Sequence, residues 1–129
     1  MKELFQTADW KSEKHVPVVE VLEKKSAEGK TTVTVRASVG KEIKHPNATE
    51  HHIEWIELYF LPDGEKFPYQ LGRFEFCAHG ASTQGPNTSG VYAEPIATCT
   101  FSVQKPGKIH ASSYCNIHGL WEGSTDLRL

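Results

Sequence analysis

The sequence predicts an all-β fold, a sandwich or a barrel. Runs of alternating apolar and polar residues recur along it, turn signals rich in Gly and Pro separate them, and no long stretch carries a helical period. The 129 residues suit one domain, 1–129, with no internal repeat and no interdomain linker. A chain of this length buries roughly two-thirds of the surface its unfolded form exposes, so it needs no disulfide to fold.

The elements follow in order. Residues 1–14 are mixed and polar and read as an irregular arm. Residues 16–21 read as a short strand, with Pro17 marking a sheet edge. Residues 23–30 are charged, end near Gly29 and read as a turn. In residues 32–39, Val33, Val35, Ala37 and Val39 share one face, as in a half-buried strand. Gly40 ends that strand, and residues 41–50, with Pro46 and Asn47, read as a loop. Residues 53–61 form a third strand whose alternation slips between Trp55 and Ile56, which predicts a bulge. Pro62-Asp63-Gly64 is a turn. Residues 71–78 alternate, with Phe74 and Phe76 on one side, and residues 80–90 read as a long loop. Residues 95–103 bring Ala97, Cys99, Phe101 and Val103 to one face. Residues 105–108 are a turn, 109–114 a further strand, and 115–121 a compact loop after it.

Composition excludes several functions. Hydrophobic residues make up 38% and charged residues 23%, as in ordinary soluble domains, and the net charge is -2 with histidine neutral. Nucleic acid and anionic membranes call for a strong excess of Lys and Arg, so neither is an expected partner. Residues 1–6 lack the apolar run of a secretory signal, and no stretch approaches the ~20 apolar residues of a membrane span. Three cysteines, Cys77, Cys99 and Cys115, are an odd number and predict reduced thiols in the cytoplasm. Cys77 and Cys99 read as small core residues on strands.

Three places carry candidate chemistry, and between them they hold five of the chain's seven histidines. Cys115-Asn-Ile-His118 lies just past a strand, where a Cys-x-x-His pair can turn a soft thiolate and an imidazole onto one metal. The stretch from Lys41 to His52 sets His45, His51 and His52 within eight residues, on a loop and the strand after it. If His51 and His52 begin a strand they point to opposite faces, and at most one readily meets a given metal. Glu13-Lys14-His15 precedes the first strand. Together these places can supply four nitrogens and one thiolate. That set is too large for a closed tetrahedral zinc site and has no carboxylate of the two-His type. Five ligands leave a sixth position, which suits a redox metal that binds a small molecule.

The same residues carry a family resemblance. The runs Glu-Lys-His-Val-Pro-Val from Glu13, Lys-Glu-Ile-x-His-Pro-Asn-x-Thr-Glu-His-His-Ile from Lys41, and Tyr-Cys-Asn-x-His-Gly-Leu-Trp from Tyr114 resemble superoxide reductase, or neelaredoxin, of the desulfoferrodoxin family. Residues 56–62, 78–80 and 85–89 extend the likeness, which covers residues 9–122. No cysteine precedes Cys77, so the likeness is to the one-iron class rather than to the longer members with a four-cysteine iron domain. The resemblance implies an immunoglobulin-like antiparallel β-sandwich. It implies one iron, held by His15, His45, His51 and His118 as equatorial imidazoles and Cys115 as axial thiolate, with superoxide as substrate. It assigns Glu13 to capping the oxidised iron and Lys14 to the substrate side. Rubredoxin or a similar small donor would return the electron, and a homotetramer is the expected assembly. At Lys44 many members have proline, a departure that touches no ligand.

Two rivals draw on the same residues. A blue-copper electron carrier also keeps Cys and His close in a C-terminal loop, but it usually needs a weak axial Met, and Met1 is the sole methionine. A zinc-stabilised binding module would use Cys115, His118 and two more histidines. A geometric condition falls on Lys14: in an extended strand Glu13 and His15 share a face and Lys14 points away. Lys14 therefore reaches substrate only from a loop.

Overall fold

A computed structural model describes residues 1–129. Its strands are β1 (Phe5–Gln6), β2 (Pro17–Ala27), β3 (Lys30–Val39), β4 (Ile53–Pro62), β5 (Tyr69–Glu75), β6 (Ile96–Val103), β7 (Gly107–Cys115) and β8 (Gly119–Leu127). They form a five-stranded sheet, β1-β8-β7-β4-β5, and a three-stranded sheet, β2-β3-β6. The two sheets pack as a sandwich of the immunoglobulin-like kind, as expected. No helix is long and apolar enough to cross a membrane.

The core follows the alternation in the sequence. Val33, Val35 and Ala37 of β3 are completely buried, in one cluster with Ile56 and Leu58 of β4 and Ile109 of β7. Ala97 of β6 is buried there too, and Cys99, Phe101 and Val103 pack against it. One sheet thus presents β-branched side chains to the aliphatic face of the other, and both lose apolar surface to water.

Several elements differ from expectation. The N-terminal arm is not wholly irregular: Phe5 and Gln6 pair in parallel with Leu120 and Trp121 of β8, the one parallel pair in an otherwise antiparallel sandwich. β2 runs on to Ala27, and its hairpin with β3 turns on Glu28 and Gly29, both at positive φ. Its charged half is exposed on both faces, so no apolar alternation marks it. The β4 bulge falls one residue early, with the β7 register shifting between Ile53 and Trp55. Glu54 is the extra residue, and Ile53 and Ile56 both reach the core across it. β5 begins at Tyr69 and ends at Glu75, which leaves Cys77 exposed beyond the strand rather than in the core. Finally, the compact loop expected at 115–121 is a tight turn between β7 and β8, and β8 is a full strand that the pattern did not announce. Its inward positions include Gly123, where a Cβ would lie 2.5 Å from the Pro17 carbonyl oxygen. An approach that close excludes the apolar side chain that would have marked the face.

Candidate metal centre

Three segments converge at one end of the sandwich. Cys115 is the last residue of β7 and is completely buried. The turn after it returns through Gly119, at φ +79, and brings His118 back over the sulfur. His118 Nδ1 lies 3.8 Å from Cys115 Sγ, and the His118 N–H donates to that sulfur at 3.4 Å. His15 enters just before β2 and is buried, with Nε2 3.1 Å from His118 Nδ1. His51 closes a short bridge with Ala48 just before β4. One ligand atom from each of His15, His51, Cys115 and His118 lies within 4.8 Å of all the others. His45, buried in the loop after β3, completes the ring of imidazoles: its ring centroid is 4.8 Å from that of His15 and 4.7 Å from that of His51.

Hydrogen bonds decide which nitrogen of His15 and of His45 faces inward. The His15 Nδ1–H donates to Glu13 Oε1 at 2.6 Å, and the same oxygen accepts the His15 backbone N–H at 2.8 Å. His15 Nε2 is therefore the bare nitrogen. The His45 Nδ1–H donates to the Pro46 carbonyl at 2.6 Å, leaving Nε2 bare. His45 Nε2 and His51 Nε2 are buried and have no hydrogen-bond partner. Buried polar atoms are almost always paired, so two bare imidazole nitrogens on rings 4.7 Å apart are what a metal ion would satisfy. The residues present fit such an ion.

Electrostatics point the same way. Burial pushes the pKa of His45 down from 6.5 to about 4. Burial likewise lowers His15 and His51, and the positive charge of Lys14 adds to the effect at all three rings. Neutral imidazoles are the form that binds metal. Burial alone would raise the Glu13 carboxyl, but the two hydrogen bonds from His15 outweigh it and hold Glu13 below its usual range.

The site residues read from the sequence are thus found together: His15, His45, His51, Cys115 and His118 form the cluster, with Glu13 against His15. Residues 14–16 form a bend rather than a strand, so Lys14 is not turned away by strand alternation. His52 does face away from the cluster: its ring stacks on His79 at 3.5 Å, and its Nδ1–H donates to the Ala48 carbonyl. Sequence reasoning missed two neighbours. Trp121 stacks on His15 with centroids 4.8 Å apart, and its Nε1–H donates to the His118 carbonyl at 3.1 Å. Asn116 bonds across to the His51 segment. Neither is a ligating type, so only their adjacency to ligands in the motif could have drawn notice.

Fold and site together define an immunoglobulin-like β-sandwich with a histidine-and-cysteine metal centre. Comparison with known proteins narrows the class. Residues 7–124 match the family model described as desulfoferrodoxin. The superoxide reductase of Pyrococcus furiosus is 58% identical over 98% of both chains. The neelaredoxin of Megalodesulfovibrio gigas is 53% identical over 100% of this chain and 98% of its own. The reduced superoxide reductase (neelaredoxin) of Archaeoglobus fulgidus superposes with a TM-score of 0.90 at 64% identity, covering 98% of this chain and 99% of that one. The chain belongs to the desulfoferrodoxin family.

Proposed function

We propose that this protein is a superoxide reductase acting at a single iron ion, with residues 1–129 working as one iron-binding domain. Superoxide takes up one electron and two protons to give hydrogen peroxide, and no oxygen is released. The observation that carries this reading is the convergence of His15, His51, Cys115 and His118, with the bare, buried Nε2 of His45 beside them. The holding residues would be Nε2 of His15, His45 and His51, Nδ1 of His118 and the Cys115 thiolate. Ferrous iron bound there supplies the electron.

The chain's own groups do the rest. Lys14 Nζ gives a positive field for a small anion and orders water that delivers protons. The Glu13 carboxylate fixes the tautomer of His15, and to cap an oxidised metal it must leave His15 Nδ1. The His118 N–H donates to the sulfur and so withdraws charge from the thiolate. Rubredoxin or a similar small protein returns the electron, and the chain works as a homotetramer in the cytoplasm. Three free thiols support that setting.

Metal analysis with an absorption spectrum tests the reading. We expect one iron per chain, a thiolate-to-metal band in the oxidised protein that bleaches on reduction, and peroxide without oxygen when superoxide is added. Zinc would give a colourless protein and leave a binding module. Copper with an intense thiolate band would leave an electron carrier, although the sole methionine, Met1, is exposed. Oxygen evolution would replace reduction with dismutation.

A further inference from the structure

One side chain ties the segment that carries His51 to the turn that carries Cys115. Asn116 directly follows Cys115. Its Oδ1 accepts the His52 N–H at 2.9 Å, and its Nδ2 donates to the Glu50 carbonyl at 3.0 Å. Its backbone N–H donates to the His52 carbonyl at 3.2 Å. His51 is thus held on both sides by one amide that sits next to the sulfur in sequence. The ladder between β4 and β7 starts only at Ile53 and Cys115. Upstream of it, residues 50–52 are joined to the Cys115 turn by Asn116.

The β7–β8 turn does not need this side chain for itself. It is closed by the ladder pairs Cys115–Gly119 and Tyr114–Leu120 and by the His118 N–H on the sulfur. The Asn116 amide faces the other way, toward peptide groups two residues apart. It presents one donor and one acceptor in a fixed plane. Aspartate lacks the donor, and alanine lacks both.

We infer that Asn116 is a positioning residue for the metal centre: it sets the separation between the His51 imidazole and the Cys115 sulfur while touching no donor atom. The inference rests on the five-ligand reading above and deepens it. Residues that hold ligands from behind typically change metal affinity by about 10–100-fold when removed.

The test uses full-length Asn116→Ala and Asn116→Asp, each loaded with iron. Three quantities are read: the rate at which a strong chelator strips iron, the position of the thiolate-to-metal band, and the melting temperature of the metal-free protein. We expect Asn116→Ala to lose iron about 10–100-fold faster with a shifted band. Asn116→Asp keeps the acceptor for the His52 N–H and should fall between. The metal-free proteins should melt alike. Parental stripping rate and band in Asn116→Ala overturn the inference, as does a metal-free melt that falls as far as the loaded one. If Asn116→Ala does not fold, Asn116→Asp decides by the same readings. A parent protein with no thiolate band sinks the five-ligand reading and this inference together, whereas a normal parent with variants identical to it sinks this inference alone.

Discussion

The ammonium of Lys14 belongs to a half-buried residue beside His15, and its charge is felt at His15, His45 and His51. A positive group so placed acts on a small anion chiefly before contact, by raising its local concentration. Such a field is screened over a Debye length of about 10 Å at 0.1 M salt. Lys14→Ala should therefore slow superoxide reduction on the order of threefold to tenfold at low ionic strength, and the deficit should shrink as salt is added. Iron content should stay at the parental level, because Lys14 is not among the converging donors. Pulsed generation of superoxide followed by optical detection reads the rate directly. A variant as fast as the parent at low salt would remove Lys14 from the mechanism.

At the scale of elements, the loop after β3 depends on a single backbone conformation. Gly40 sits at φ +87, and a Cβ there would lie 2.7 Å from the His45 backbone nitrogen. Gly40→Ala combines a strained backbone with a collision against the ligand segment, so we expect a loss of about 1–3 kcal/mol together with weaker iron retention. Urea unfolding and chelator stripping measure the two effects, and parental values in both would show that the loop tolerates a side chain. Gly40 was legible in the sequence only as a strand breaker. The neighbouring strand was fully legible, because Val33, Val35, Ala37 and Val39 each meet the core. Where an element lies at an edge or runs past the sandwich, as β1 and the far half of β2 do, no buried face imposes a period. β8 was hidden for the opposite reason: its inner face is crowded by backbone at Gly123 and so carries no apolar series. The proposed ligands were legible as candidate residue types in three motifs, and the family resemblance picked out the five. What spacing did not convey was which nitrogen His15 and His45 present, since that is set by Glu13 and by the Pro46 carbonyl.

For the whole molecule, the burial that lowers the pKa of His15, His45 and His51 makes folding depend on pH. In the metal-free protein the His45 pKa is lowered from 6.5 to about 4, chiefly by burial. Between those two values the unfolded chain binds a proton that the folded chain refuses. Stability therefore rises with pH across the window and is lost as pH falls through it. Above it both states are neutral and this histidine contributes no slope. At 1.36 kcal/mol per unit, His45 alone accounts for as much as about 3 kcal/mol. His15 and His51 are lowered for the same reason and act in the same direction. The depressed Glu13 carboxyl also loses stability on acidification, when its hydrogen bonds from His15 are lost. Against a typical domain stability of about 5–15 kcal/mol, these losses are large. Urea unfolding of the metal-free protein, followed by tryptophan fluorescence, should show a midpoint that drops steeply from neutral pH to about pH 4. His45→Gln should flatten the curve, because it removes the largest of the shifted groups. The iron-loaded protein should show a steeper acid limb still, since protons then also compete with metal for the same nitrogens. A midpoint that stays level across this range in the metal-free parent would mean that the cluster opens to water and admits protons without unfolding.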